Sequence, residues 1–189
     1  SFSTTALLES QLLKTSAGNF DLSEMFTVRN IYIEKARNYI LRQGKTSFGE
    51  GGLGHDVIRS ISTYGAIPEM YYTGYKQGEN FYNHFLMISD LKTYLDSILK
   101  AVPKLRKETK IPENWMEGFV KILNENMGVP PKDFIYNNKV YTPVTFAKDV
   151  MKFNADDYVN ITSFTHHPYY TPYVLEVPDN FSNGMYYNI

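Results

Sequence analysis

Three features of this 189-residue sequence predict an α+β fold. Apolar residues recur at helical spacing through most of the first 127 positions, short extended runs follow them, and the prolines and tyrosines crowd into the last third. With 43% hydrophobic and 21% charged residues, the chain has the balance of a globular domain able to bury a core. The formal net charge of −1 provides no basic field for phosphates, so nucleic acid is not expected as a partner. No apolar run approaches the ~20 residues that span a bilayer, and the start has no signal-peptide pattern. Cysteine is absent, so these residues hold no disulfide, no thiolate metal site and no thiol nucleophile.

The first helix is expected over Thr4 to Leu13, burying Phe2, Ala6, Leu8, Leu12 and Leu13, with Gly18 ending it. Asp21-Leu22-Ser23-Glu24 has the form of a helix start, Asp or Ser capping and Glu24 in the first turn, and that helix runs through Ile33 and Ala36 to Leu41. Gly49-Glu50-Gly51-Gly52-Leu53-Gly54 is a glycine-dense loop ahead of the amphipathic stretch His55 to Ile61, which Tyr64-Gly65-Ala66-Ile67-Pro68 ends. Helical spacing returns over Asn80 to Val102 and Pro112 to Met127, joined by the charged run Lys104 to Lys110. Phe134 to Tyr141 predicts a hairpin about Asn137-Asn138, and Thr142-Pro143 opens a short helix to Val150. Strands are expected at Tyr158 to Phe164 and Tyr173 to Val177.

Candidate chemistry is sparse. His166 and His167 are adjacent, and on an extended chain they face opposite ways, which argues against a shared metal ion. No metal site and no cofactor are expected. His55-Asp56 sits at a helix start, where neighbouring side chains are expected to diverge rather than form a dyad. Ser1 as an N-terminal nucleophile is disfavoured by the helical pattern that follows it.

Taken in order, Ser1-Phe2-Ser3, Thr4 to Glu9, Asp21-Leu22-Ser23-Glu24, Gly51-Gly52, Tyr64-Gly65-Ala66-Ile67-Pro68, Asp157-Tyr158-Val159 and Thr165 to Tyr170 resemble papain-like cysteine peptidases. The resemblance is to the aminopeptidase C and bleomycin hydrolase branch in its Bacteroides-like bacterial form, and it extends over almost the whole chain. It implies a papain-like left domain at 1–79, a helical insertion at 80–130, and a hairpin with the start of a strand-rich right domain at 131–189. It further implies a cysteine aminopeptidase that cleaves peptides from the amino end through a thioester, and a homo-oligomer, hexameric in that family.

In such enzymes the nucleophile opens the central helix in a Cys-Trp-Ser-Phe-Ser-like pattern. The resemblance therefore sets the cysteine two residues before Ser1, with the histidine and asparagine beyond Ile189. His166 and His167 lack the family's His-Ala-type motif and are not assigned to catalysis. The catalytic set among these residues is thus none, and the segment by itself is expected to be inactive. Gly51, Gly52, Leu53 and Gly54 would bind peptide substrate, the glycine pair through bare backbone and the next two as the adjoining apolar wall. The competing expectation is a non-catalytic binding or assembly module of the same fold. Compartment is left open by the sequence.

Overall fold

The computed structural model describes residues 2–15, 17–76, 78–101, 112–159 and 168–171. They fall in two compact units, Ser1–Tyr158 and Val159–Ile189. In the second unit only Val159 and residues 168–171 are described.

In the first unit, helix α1 spans Phe2–Lys14 and buries Thr5, Leu8 and Leu12. The expected stripe is corrected here: Leu8 and Leu12 are inside, whereas Phe2, Ala6 and Leu13 are exposed. At ~100° per residue the two sets point roughly 120° apart, so the surface that buries one leaves the other outside. Helix α2, Glu24–Leu41, starts where expected. Ser23 is its N-cap, accepting from the Phe26 N–H at 3.2 Å while its hydroxyl donates to the Tyr72 carbonyl at 2.5 Å. A cap of this kind is worth ~1 kcal/mol, and this one also ties the helix start to a segment 49 residues on.

Helix α3, Gly54–Tyr64, is the amphipathic stretch after the glycine loop, and Val57, Ser60 and Ile61 form its buried side. It ends at Gly65, whose φ of +80° favours glycine and whose N–H donates to the Ile61 carbonyl at 2.9 Å. The next residues run beside the α2 start: Ser23 N–H donates to the Ile67 carbonyl and Glu69 N–H to the Asp21 carbonyl, each at 2.8 Å. These bonds fix the chain leaving α3 against the entry to α2.

Helices α4, His84–Ala101, and α5, Trp115–Met127, pack on each other through matching apolar stripes. Met87, Leu91 and Leu95 on one, and Phe119, Leu123 and Met127 on the other, each recur every four residues and are buried. Both helices contact α2. Phe48, just ahead of the glycine loop, stands edge-on to Phe119 with ring centroids 6.1 Å apart. The charged run 104–110 lies outside the described residues.

Strands β1, Phe134–Tyr136, and β2, Lys139–Tyr141, make the expected hairpin, pairing Phe134 with Tyr141. Asn137 and Asn138 have φ of 48° and 60°, the left-handed pair that a two-residue type I′ turn requires. Thr142 then caps α6, Pro143–Thr145, which continues into a π-type turn over Phe146–Val150. Phe146 is fully buried among Phe20, Phe134, Tyr136 and Tyr141. Among the described residues, helices with one small hairpin are compatible with an α+β chain. Of the expected 158–164 strand only Tyr158 and Val159 are described, Tyr158 being extended at φ −118° and ψ 128°; the 173–177 strand and His166-His167 lie outside the described residues.

Candidate functional site

The start of α1, the first three turns of α2, the glycine loop and the starts of α3 and α4 line a cavity of about 200 Å³. Phe2, Met25, Val28, Ile31, Leu53 and Val57 give it apolar walls. Tyr32, Lys35, Glu50, Asp56 and His84 supply its polar groups, and the backbone of Gly51 and Gly52 completes the lining. A cavity of ~150 Å³ admits benzene, so this volume suits one branched or aromatic side chain.

The loop is held by a lysine. Lys35 donates from Nζ to the Gly49 carbonyl at 2.9 Å and also to the Gly51 carbonyl. Burial pulls its pKa below the ordinary lysine value, with the Asp56 charge opposing. With the Gly51 carbonyl occupied, Gly52 presents its N–H and C=O without a hydrogen-bond partner among the described residues. Gly51 has φ of +87°, and a Cβ built on it meets nothing within 4 Å. On Gly52 a Cβ would meet the Asp56 Oδ2 at 3.3 Å and nothing else. The protein leaves the space beside both glycines open.

Asp56 fixes the far end of the loop. Its Oδ2 accepts from the Leu53 N–H at 2.8 Å, the reach-back half of a capping box. Its Oδ1 accepts from Arg59 at 3.0 Å, and Arg59 reaches on to Glu34 of α2 at 2.5 Å. His55 Nε2 lies 3.5 Å from the same Oδ1, so the two side chains expected to diverge are neighbours. The reason is local: Asp56 turns back toward the N-terminus to cap, which sets its second oxygen beside the His55 ring. His55 lies outside the cavity lining.

Elsewhere in the lining, the Tyr32 ring is 6.3 Å from that of His84, which is also 5.7 Å from Tyr82. Burial pushes the Tyr32 phenol up to about 12, helped by the charge of Glu50. Burial holds the His84 imidazole below its ordinary 6.5, against the opposing pull of Glu50. Both rings are therefore neutral at pH 7.

Of the four residues expected to bind substrate, Gly51, Gly52 and Leu53 line the cavity, and Leu53 is 57% exposed. Gly54 is one step on, the first residue of α3, with its Cβ position 3.6 Å from Thr4 Oγ1 of α1. Lys35, Glu50, Tyr32 and His84 escaped sequence reasoning. Glu50 adjoins the glycines and was legible as a neighbour, but Lys35 and Tyr32 look like ordinary amphipathic-helix residues, and His84 comes from a segment more than 30 positions away. Among the described residues no three His, Asp or Glu side chains group to hold a metal, and no helix is long and apolar enough to cross a membrane. No protein-family model matches the chain, and no curated protein matches it.

Proposed function

We propose that this chain forms the left-domain cleft wall of a papain-like cysteine aminopeptidase of the bleomycin hydrolase type, with Gly51 and Gly52 as its peptide-binding edge. One observation carries the reading: Phe2, at the start of α1, lines the same cavity as the glycine pair. In a papain-like enzyme those two features must adjoin, because the helix start holds the nucleophile and the glycines hold the substrate beside it. Thr4 of α1 lies beside Gly54, close enough that a Cβ there would be 3.6 Å from its Oγ1, which supports the same juxtaposition.

The chemistry follows from what each part supplies. A cysteine placed two residues before Ser1 would sit at the positive end of the α1 dipole, which favours the thiolate. Its sulfur would attack the scissile carbonyl to form a thioester. A histidine would take the thiol proton and return it to the leaving amine, and an asparagine would orient that imidazole. None of these three groups is assigned to the present residues, which contain no cysteine. Gly52 contributes one N–H and one C=O, the pair an extended peptide needs for main-chain bonding. Assembly into a hexameric ring belongs to the same proposal.

The test compares two proteins. The purified 189-residue chain should not hydrolyse an aminoacyl fluorogenic amide, and thiol-sensitive hydrolysis by that chain would sink the proposal. A version extended through the residues encoded before Ser1 and after Ile189 should hydrolyse it and lose activity on thiol alkylation. If the encoded flank has no cysteine at the expected place, the non-catalytic binding module becomes the better reading, since the open glycine edge still suits peptide capture.

A further inference from the structure

The cavity contains three charged side chains, and two of them are already engaged. Lys35 gives its ammonium to the Gly49 and Gly51 carbonyls. Asp56 gives one carboxylate oxygen to the Leu53 N–H and the other to Arg59. Glu50 alone has neither a hydrogen bond nor an ion pair among the described residues, and it is exposed. The titratable rings facing it, Tyr32 and His84, are neutral at pH 7 and cannot balance its charge. Its carboxylate therefore stands unpaired two positions before the open backbone of Gly52, on the rim of an apolar hole sized for one side chain.

From this we infer that Glu50 is a specificity residue that pairs with an ammonium group on the bound peptide, next to the apolar side chain seated among Met25, Val28 and Ile31. This rests on the peptide-binding reading of the glycine edge. The ligand class is a short peptide with an apolar residue and a neighbouring positive charge. An exposed carboxylate cannot be driven to bind a cation by desolvation, so its contribution is modest and chiefly selective. An acidic residue presented at the same point meets like-charge repulsion and is rejected. The ammonium can be a chain terminus or a lysine side chain, and the recognition chemistry is the same for both.

The decisive experiment is an NMR titration of the 15N-labelled 189-residue chain with Leu-Leu-Gly amide, its N-acetylated form, and N-acetyl-Lys-Leu-Gly amide. The free-amine peptide should shift the Gly52 and Leu53 amides and bind about three- to fivefold more tightly than the acetylated one, the scale of one exposed ion pair. Glu50→Gln should erase that difference while leaving the acetylated peptide's affinity unchanged. If the lysine peptide alone regains the advantage, the ammonium is a side-chain one. Equal affinity of all three peptides for the unaltered chain, or an advantage that survives Glu50→Gln, overturns the role of Glu50 and leaves the glycine edge standing. Absence of any shift at Gly52 and Leu53 with all three peptides overturns the peptide-binding reading itself.

Discussion

Helix α3 has glycines at both ends, and they are glycines for different reasons. At its C-terminal end a Cβ on Gly65 would fall 2.1 Å from the Pro143 carbonyl carbon and 2.3 Å from the Val144 nitrogen. Backbone from another segment occupies that space, and the Ala66 N–H donates to the Pro143 carbonyl at 3.1 Å to hold it there. At the N-terminal end a Cβ on Gly51 meets nothing, and on Gly52 only the tip of Asp56. The first glycine is required by the fold's own packing. The second pair leaves a surface open that the fold does not use, which is what a binding edge needs.

Substitution can break or sharpen that contrast. The largest effect is expected from Gly65→Ala, where a positive φ costs ~1–2 kcal/mol and the backbone overlap adds more, for a total above about 3 kcal/mol. Denaturant unfolding should register it, and a loss under about 1 kcal/mol would mean that the α3–α6 contact is not as close as described. Lys35→Met should cost about 1–2 kcal/mol through two lost charge-assisted bonds. Its sharper signature is faster hydrogen exchange at residues 49–53, with α4 and α5 amides unchanged.

Gly51→Ala should cost about 1 kcal/mol from its φ alone, with no steric addition. Gly52→Ala should fall within roughly 0.5–1 kcal/mol of the parent, since only the Asp56 carboxylate has to shift. It should nonetheless weaken peptide binding several-fold in the same NMR titration, so a stable Gly52→Ala chain that binds normally would remove the glycine edge from the site. The smallest effect concerns His84. Its folded pKa lies below the 6.5 of the free side chain, so between those two values the unfolded state binds more protons. Stability from this group is complete above pH 6.5 and is lost as pH falls through that window. An NMR titration should find His84 below 6.5 and lower still in Glu50→Gln, which removes the charge that favours the imidazolium. A His84 value at or above 6.5 would contradict its partial burial in the cavity lining.

Much of the helical framework was legible in advance. The α2 start within Asp21 to Glu24, the run to Leu41, the α3 ends, the Asn137-Asn138 turn and the Thr142-Pro143 helix start depend on local chemistry and occur where the sequence predicted them, with Ser23 rather than Asp21 as the cap. Helix α1 was only half legible. Its apolar residues occupy two faces, and periodicity cannot say which face the rest of the chain covers. The candidate site divided in the same way: Gly51, Gly52 and Leu53 were singled out by the family resemblance, since a glycine pair alone usually makes only a turn, whereas Lys35 was one more charge on α2 until its ammonium met the loop carbonyls.

By itself the sequence determined the local conformations: where helices start and stop, which turn needs left-handed residues, and the absence of any cysteine to act as a nucleophile within these 189 positions. Those properties depend on dihedral preference and on hydrogen bonds spanning a few residues. Tertiary structure alone decided that α1 buries Leu8 and Leu12 and exposes Phe2, that Gly65 lies against Pro143, and that Lys35, Glu50 and His84 share a cavity with the glycine pair. These are contacts between segments, and their partners are chosen by the packing of whole helices, which no local pattern encodes.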